Sequence, residues 1–221
     1  ETILCPLPGG TVNVYCRELG IPTDVAAAVP AILAGRKMEA DVGKISVDGG
    51  ADMKFLLMAS VGLDAQTVRD VNLNLKEKIG PLAYVVEGIL KLMSFDTSKL
   101  FVIDEHGIER VGYHLIVQNS RFYGGAIAMA PKAKMDDGKF DVILIKKPGR
   151  LALLNFLFSI PTGRHLRLSY VEYFRSTTIQ VKSAEAEAVQ ADGDCLAKLP
   201  AHLSVLPKAL HVMAVTAPQG A

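Results

Sequence analysis

Cysteine, net charge and long apolar stretches are all scarce in this sequence. Its 221 residues include three cysteines, Cys5, Cys16 and Cys195. An odd and widely spaced set is typical of reduced cytosolic thiols and excludes a disulfide framework or a zinc cage. Lysine and arginine together number 24 against 23 aspartates and glutamates, which leaves a formal net charge of +1. Because general nucleic-acid binders depend on a basic field, no nucleic-acid partner is predicted.

The longest apolar stretch, residues 151–160, is too short to cross a bilayer. It is interrupted by Asn155 and Ser159, whereas a spanning helix needs about 20 apolar residues. Residues 1–20 also lack the basic and apolar regions of a signal peptide. The chain begins with Glu1 and takes on a strand-like pattern at Thr2. We therefore expect this chain to be a piece of a longer cytoplasmic protein.

Hydrophobic periodicity divides the chain into a short α/β part and a longer part made mainly of strands. Helices are predicted at residues 13–19, 23–34, 64–79, 81–93 and 149–159. Strands are predicted at residues 2–7, 41–47, 54–61, 100–104, 111–118, 126–130, 140–145, 171–181, 188–190 and 204–206. The expected fold class is mainly β with α (α+β). Its parts are the tail of an α/β nucleotide-binding domain at 1–36, a β-sandwich at 37–207 and a C-terminal tail at 208–221.

Pro8-Gly9-Gly10-Thr11-Val12-Asn13 is the first candidate binding loop. Glycines between a strand and a helix let backbone N–H groups turn toward a ligand, and the helix N-terminus adds partial positive charge. Thr11 and Asn13 add side-chain donors. The alternative is a plain glycine turn in which Thr11 caps the helix.

Two acidic loops are further candidates. Residues 131–141 place aspartates and a glycine between two strands, where carboxylate and carbonyl oxygens could bind a hard cation. Asp192-Gly193-Asp194 follows another strand, and one of its carboxylates could act as a general base toward a hydroxyl. For both loops the alternative is an ordinary Asp-Gly turn.

No acidic residue occurs between Asp141 and Glu172. Five basic residues lie in this stretch around the apolar helix: Lys146, Lys147, Arg150, Arg164 and Arg167. Basic flanks on an apolar helix suit an anionic membrane surface; the alternative is a core helix with solvated ends. The five histidines lack zinc-binding spacing, and His165 is predicted to lie on the surface. Tyr113, Phe122 and Tyr123 are predicted to line the core or a pocket.

Taken together, six motifs occur in a fixed order from Cys5 to about Pro207. They are Pro8–Asn13 followed by Arg17 and Leu19-Gly20-Ile21-Pro22, Ala40-Asp41-Val42-Gly43, Gly62-Leu63-Asp64-Ala65, Asn119 with Gly124-Gly125, Pro131 with Ala133, Asp137 and Gly138, and Asp192-Gly193-Asp194. As a set they resemble the diacylglycerol kinase catalytic family, in its bacterial soluble lipid kinase and sphingosine kinase-like branch.

The resemblance implies a two-domain lipid kinase that uses ATP and Mg²⁺, with the active site between the domains. It implies that Gly10, Thr11 and Asn13 contact the nucleotide and that Asp41 lies in the catalytic cleft. It implies that Asp194 is the base that deprotonates the lipid hydroxyl. A structural Mg²⁺ site remote from the reaction is implied at the carbonyls of Lys134 and Lys139 and the carboxylate of Asp137.

Two departures from the family pattern change this expectation. The Gly-Gly-Asp-Gly-Thr phosphate loop is absent from the sequence, so this fragment is expected to be inactive by itself. The implied base is aspartate, one methylene shorter than the family's glutamate. Alternatives are therefore a catalytically dead lipid-binding or regulatory module, or a nucleotide kinase of the NAD kinase type. The sequence does not name the lipid, and it leaves open a homodimer.

Overall fold

The computed structural model describes residues 2–62, 98–124, 127–185 and 187–215. The predicted helices at 64–79 and 81–93, and the motif residues 63–65 and 125, lie outside these ranges. The described helices are α1 (Val14–Glu18), α2 (Val25–Leu33) and α3 (Arg150–Ser159). The carboxylate of Asp24 accepts a hydrogen bond from the N–H of Ala27 and caps α2.

Most of the described chain forms strands. They are β1 (Arg36–Val47), β2 (Met53–Phe55), β3 (Met58–Val61), β4 (Leu100–Asp104), β5 (Glu109–Gly112), β6 (His114–Gln118), β7 (Phe122–Gly124), β8 (Ile127–Ala128), β9 (Phe140–Ile145), β10 (Val171–Ser176), β11 (Thr178–Ser183), β12 (Ala188–Ala191), β13 (Asp194–Lys198) and β14 (Ala201–Ala214). The predicted first strand, residues 2–7, makes only an isolated bridge from Leu4 to Val212.

Two six-stranded antiparallel sheets pack face to face. The first sheet has the order β2-β1-β14-β11-β4-β5, and the second has the order β10-β9-β6-β3-β12-β13. Ile45, Val102, Ile179 and Leu203 of the first sheet meet Val61, Leu115, Val142 and Val189 of the second in one buried core. This arrangement is the expected β-sandwich, and the predicted fold class is confirmed.

The three stretches predicted as single strands at residues 54–61, 111–118 and 171–181 are each divided between the two sheets. Residues 53–61 break at 56–57, residues 109–118 break at Tyr113, and residues 171–183 break at Thr177. In each case one half joins the first sheet and the other half joins the second. Apolar periodicity runs through these bends because both halves face the same core.

Residues 2–35 pack on one end of the first sheet. Leu19, Ile21 and Ala28 of this segment are buried against Ala40 and Val212, where β1 pairs with β14. β1 begins at Arg36, beside the domain boundary expected at 36. β14 continues to Ala214, so residues 208–214 of the expected tail form part of a strand.

α3 covers the outer face of the second sheet. Its Leu153 and Phe156 are buried against Ile116 and Ile143 of that face. His165 follows in a short 3₁₀ turn and is fully buried. Its ring makes an edge contact with Phe156 and its Nε2 lies 2.8 Å from the carbonyl oxygen of Met129. The predicted surface position of His165 is therefore wrong, because the turn folds back beneath the helix.

Candidate active site

Asp41 fills a bulge between β1 and β14. The pairing shifts between Ala40 and Val42, which leaves Asp41 opposite residues 207–209. Asp41 is fully buried. One carboxylate oxygen accepts the N–H of Lys208 at 2.8 Å, and the other accepts the N–H of Gly138 at 2.6 Å. The carboxylate thus joins β14 to the 131–139 loop.

Burial raises the pKa of Asp41, although the two backbone N–H donors oppose that effect. Further contacts fix the Asp41 backbone. Its N–H donates to the carbonyl of Met135 at 2.6 Å, and its carbonyl accepts the side-chain amide of Asn119 at 3.0 Å. Asp41 therefore presents no oxygen to the surface. The cleft role that the sequence implied stays a prediction, and the geometry makes Asp41 a positioning residue.

The 131–139 loop places Asp137 beside Arg175. The guanidinium of Arg175 donates to one carboxylate oxygen of Asp137, and the N–H of Lys139 donates to the other at 3.2 Å. The loop offers the hard oxygen donors that Mg²⁺ prefers. In this arrangement the carboxylate of Asp137 is paired with Arg175. The Mg²⁺ site implied at this carboxylate and at the carbonyls of Lys134 and Lys139 stays a prediction.

Asp192 connects the β12–β13 turn to the bend between β2 and β3. Its carboxylate accepts three backbone hydrogen bonds, from Leu56 at 2.6 Å, Leu57 at 2.9 Å and Met58 at 3.0 Å. Asp192 itself has a positive φ of 50°, which aspartate tolerates better than most residues. The Asp-Gly-Asp turn is thereby fixed to the centre of the second sheet.

Asp194 is the carboxylate that this turn leaves available. It is exposed and begins β13. Within the described ranges no hydrogen bond or ion pair reaches its carboxylate. The two aspartates of the turn thus differ in their contacts: Asp192 holds the backbone, whereas the carboxylate of Asp194 is exposed to solvent.

The Pro8–Asn13 loop leads directly into α1. Thr11 is exposed, whereas the side-chain amide oxygen Oδ1 of Asn13 accepts the N–H of Gly10 at 2.8 Å and closes the loop. Asn13, rather than Thr11, is the N-cap residue of α1, and its side chain makes no capping hydrogen bond. Burial raises the pKa of Tyr15, and the negative charge of Asp192 adds to the effect, which places α1 near the β12–β13 turn.

A partly buried ion pair fixes α1 to the segment before β7. The carboxylate of Glu18 accepts the backbone N–H of Arg121 at 3.0 Å and pairs with its Nε at 2.9 Å. Arg121 immediately precedes β7. No local sequence pattern predicts this pair, because its partners are 103 residues apart.

An apolar cavity of about 220 Å³ lies between α3 and the outer face of the second sheet. Most of its lining is aliphatic or aromatic, with Ser60 and His114 as polar exceptions; it consists of Ser60, Val61, His114, Leu115, Ile116, Tyr123, Met129, Ile145, Leu153, Phe156 and Leu157. Tyr123 thus lines a pocket, as predicted. Burial lowers the pKa of His114 to about 4, so this wall of the cavity is uncharged near neutral pH.

The cavity lies close to the Asp-Gly-Asp turn. The N–H of Met58 donates to the carboxylate of Asp192, and the carbonyl oxygen of Met58 accepts the N–H of Asp192. Ser60, two residues further along β3, lines the cavity. Two residues of strand span about 7 Å. Among the described residues no helix is long and apolar enough to span a membrane. Nor do those residues contain a cluster of three or more His, Cys, Asp or Glu side chains able to hold a metal.

Comparison with protein families divides the chain into two matched parts. Residues 1–45 match the diacylglycerol kinase catalytic domain. Residues 58–214 match the YegS C-terminal NAD kinase beta sandwich-like domain.

Curated relatives extend the similarity along nearly the whole chain. A diacylglycerol kinase of Mycobacterium tuberculosis is 30% identical over 211 residues, covering 94% of this chain and 67% of the relative. A diacylglycerol kinase of Staphylococcus aureus is 28% identical, covering 94% of this chain and 65% of the relative. The chain thus spans about two thirds of the length of these relatives.

Solved structures share the fold. Two crystal structures from Bacillus anthracis, described as diacylglycerol kinases, superpose with TM-scores of 0.74 and 0.66 at 22% and 20% identity. Each alignment covers 94% of this chain, and 67% and 65% of the respective solved chains.

Proposed function

Because this chain belongs to the diacylglycerol kinase family, we propose that it is the lipid-side part of an enzyme that transfers the γ-phosphate of ATP to a lipid hydroxyl. The observation that carries the proposal is the exposed carboxylate of Asp194 in a turn that Asp192 ties to Met58, two residues before Ser60 in the wall of an apolar cavity. A general base must reach the proton of the hydroxyl that it activates. An apolar cavity in this part of the second sheet suits a substrate whose hydroxyl is attached to an acyl chain.

In this proposal Asp194 accepts the proton of the lipid hydroxyl while the hydroxyl oxygen attacks the γ-phosphorus of ATP and ADP leaves. Asp192 positions Asp194 by fixing the turn to the second sheet. Thr11 and Asn13 would contact the nucleotide, and Asp41 would hold the 131–139 loop in place. ATP supplies the phosphoryl group, with Mg²⁺ as its counter-ion.

The cavity would accept part of one acyl chain. A chain carbon occupies about as much space as a water molecule, about 30 Å³ in the liquid, so the cavity has room for roughly seven carbons. The lipid hydroxyl would then lie near the β12–β13 turn, with the tail running along β3 beneath α3. Diacylglycerol-type and sphingoid lipids both satisfy this geometry. A cytoplasmic enzyme that takes either lipid from a bilayer would associate peripherally with the membrane.

The test is phosphorylation of dispersed diacylglycerol with labelled ATP. The protein assayed is a longer one in which this chain follows a Gly-Gly-Asp-Gly-Thr phosphate loop. We expect Asp194→Ala to lower kcat by 100-fold or more, within the range usual for general base catalysis. Asp194→Glu should retain activity. The control Asp48→Ala changes an exposed aspartate in the β1–β2 turn and should leave the rate unchanged.

Three outcomes would contradict the proposal. Unchanged turnover in Asp194→Ala would remove Asp194 from the mechanism. A longer protein with no activity toward any lipid would favour a lipid-binding module, and activity toward NAD would favour a nucleotide kinase. This chain alone carries no phosphate loop, so it should show no transfer above background.

A further inference from the structure

A polar groove of about 280 Å³ lies on the outer face of the first sheet. Ala201 and Leu203 of β14 point into the core between the sheets, so His202 points outward. His202 lies directly opposite Ser46 of β1 on one side and Gln180 of β11 on the other. Residues aligned in this way share one face of a sheet. Their three side chains thus form one row along the groove.

Three more residues form the end of the groove beside this row. Asp48 follows β1, Pro200 precedes β14, and Lys182 belongs to β11. All three are exposed. Because β14 lies between β1 and β11, the Cα atoms of Asp48 and Lys182 are two strand spacings apart, about 10 Å. The groove therefore has a carboxylate on one side and an ammonium group on the other.

Most polar side chains of the groove are unpaired. Four of them have no hydrogen-bond or ion-pair partner within the described ranges: Asp48, Gln180, Lys182 and His202. Ser46 differs, because its hydroxyl donates to Asp52 at 2.6 Å. A carboxylate, an amide, an ammonium group and an imidazole are thus all available to a bound molecule.

We propose that this groove binds a small zwitterion, a molecule that carries an ammonium group together with a carboxylate or a phosphate. Asp48 binds the ammonium group of the ligand, while Lys182 and the amide of Gln180 bind its anionic group. The imidazole of His202 lies between them and adds a hydrogen bond to either group. A purely anionic ligand would be repelled by Asp48, and a purely cationic one by Lys182, so the groove favours a ligand with both charges.

The size and place of the groove agree with this assignment. Its volume is that of roughly nine water molecules, which is enough for an amino acid or for ethanolamine phosphate. Asp194 and the apolar cavity belong to the second sheet, whereas the groove belongs to the first. The inference therefore goes beyond the proposed function and does not rest on it.

NMR titration of the isotope-labelled chain tests the proposal. The zwitterionic probes are glycine and ethanolamine phosphate, and the controls are acetate, ethylamine and glycerol, which carry one charge or none. We expect a zwitterion to shift the backbone amide signals of residues 180–182 and 201–202. It should bind about fivefold more tightly than each control, since an exposed ion pair contributes up to about that factor.

Charge-matched variants test which side chains bind the ligand. Lys182→Gln and Asp48→Asn should each weaken binding of the zwitterion by about fivefold. The controls are Lys54→Gln and Glu109→Gln, which remove charges of the same sign from exposed positions of the same sheet. They should leave the affinity unchanged. If each variant binds as its control does, Lys182 and Asp48 do not form the site.

The remaining outcomes decide between ligands. If neither glycine nor ethanolamine phosphate shifts the signals of the groove, the proposal is wrong. Equal affinity for acetate, ethylamine or glycerol would also overturn it, because one charge or none would then be sufficient. Tighter binding of glycine would support it with a free amino acid as the ligand. Tighter binding of ethanolamine phosphate would support it with a phosphate ester.

Discussion

His114 shows how strongly one residue is governed by its surroundings. Burial lowers its pKa to about 4, well below the value of about 6.5 that an unfolded chain would give. The side chain therefore stays neutral in the folded protein at pH values where the unfolded protein binds a proton. The contribution of neutral His114 to the free energy of unfolding is fully present above about pH 6.5 and is lost as the pH falls toward 4.

We expect the free energy of unfolding to fall by about 1.4 kcal/mol for each pH unit between 6.5 and 4 because of His114. In His114→Gln this part of the pH dependence should be missing. Urea titrations at pH 7, 6 and 5 measure it. Equal slopes for the wild type and the variant would show that another group is responsible.

Replacing Asp192 and replacing Asp194 are expected to change the stability of the protein by very different amounts. Asp192→Ala removes the acceptor of three backbone N–H groups and should destabilise the protein by about 2 kcal/mol. Asp194→Ala alters an exposed carboxylate and should change stability by less than about 0.5 kcal/mol. The urea midpoint at constant m-value measures both. A larger loss in Asp194→Ala than in Asp192→Ala would reverse these assignments.

At the scale of the secondary-structure elements, the pairing of β1 with β2 requires a glycine opposite an aromatic ring. Gly43 pairs with Phe55, and a Cβ at Gly43 would overlap that ring. Phe55 is held in place by stacking on Phe140, with ring centroids 5.6 Å apart. The ring therefore cannot move aside without disturbing the core between the sheets.

Gly43→Ala should cost about 1–3 kcal/mol, the usual penalty for overpacking. Gly43→Ala combined with Phe55→Leu should cost less than the sum of the two single changes, because the smaller side chain makes room for the methyl group. Gly124→Ala, whose Cβ would meet nothing within 4 Å, is the control. Strictly additive effects in thermal unfolding would contradict the close contact.

The same elements show what the sequence could predict. β9 and α3 were located almost to the residue because their apolar runs end at glycine, proline or charged residues. The bends at Tyr113 and Thr177 were missed because inward-facing residues continue in the same alternation across them. β13 is absent from the predicted strands, since its side-chain pattern is obscured by the Asp-Gly-Asp motif at its start.

The candidate site was predicted in part for a similar reason. The motif residues lie in loops whose local chemistry the sequence shows directly, so Asp194 and the Pro8–Asn13 loop could be named. The burial of Asp41 depends on Gly138 and Lys208, which are 97 and 167 residues away. Contacts at such separations leave no local pattern. The cavity arises in the same way, from strands and a helix that are distant in sequence.

At the scale of the whole molecule, Glu18 fixes the first 35 residues to the sandwich. Glu18→Ala leaves the backbone N–H and guanidinium of Arg121 without this partner. We expect local opening to become about 10- to 100-fold more frequent, since a lost hydrogen bond to a charged group costs about 1.5–3 kcal/mol. The rate of trypsin cleavage at Arg36 and Lys37 measures this opening. Glu109→Ala, an exposed position, should leave the rate unchanged, and an equal increase there would contradict the assignment.

The three bends also determine how the protein can unfold. Each bend connects a strand of one sheet covalently to a strand of the other, so neither sheet can unfold while the other stays folded. Native-state hydrogen exchange should therefore give β4 and β9, which lie in different layers, one common opening free energy. Distinct values for the two strands would mean that the layers unfold as separate units.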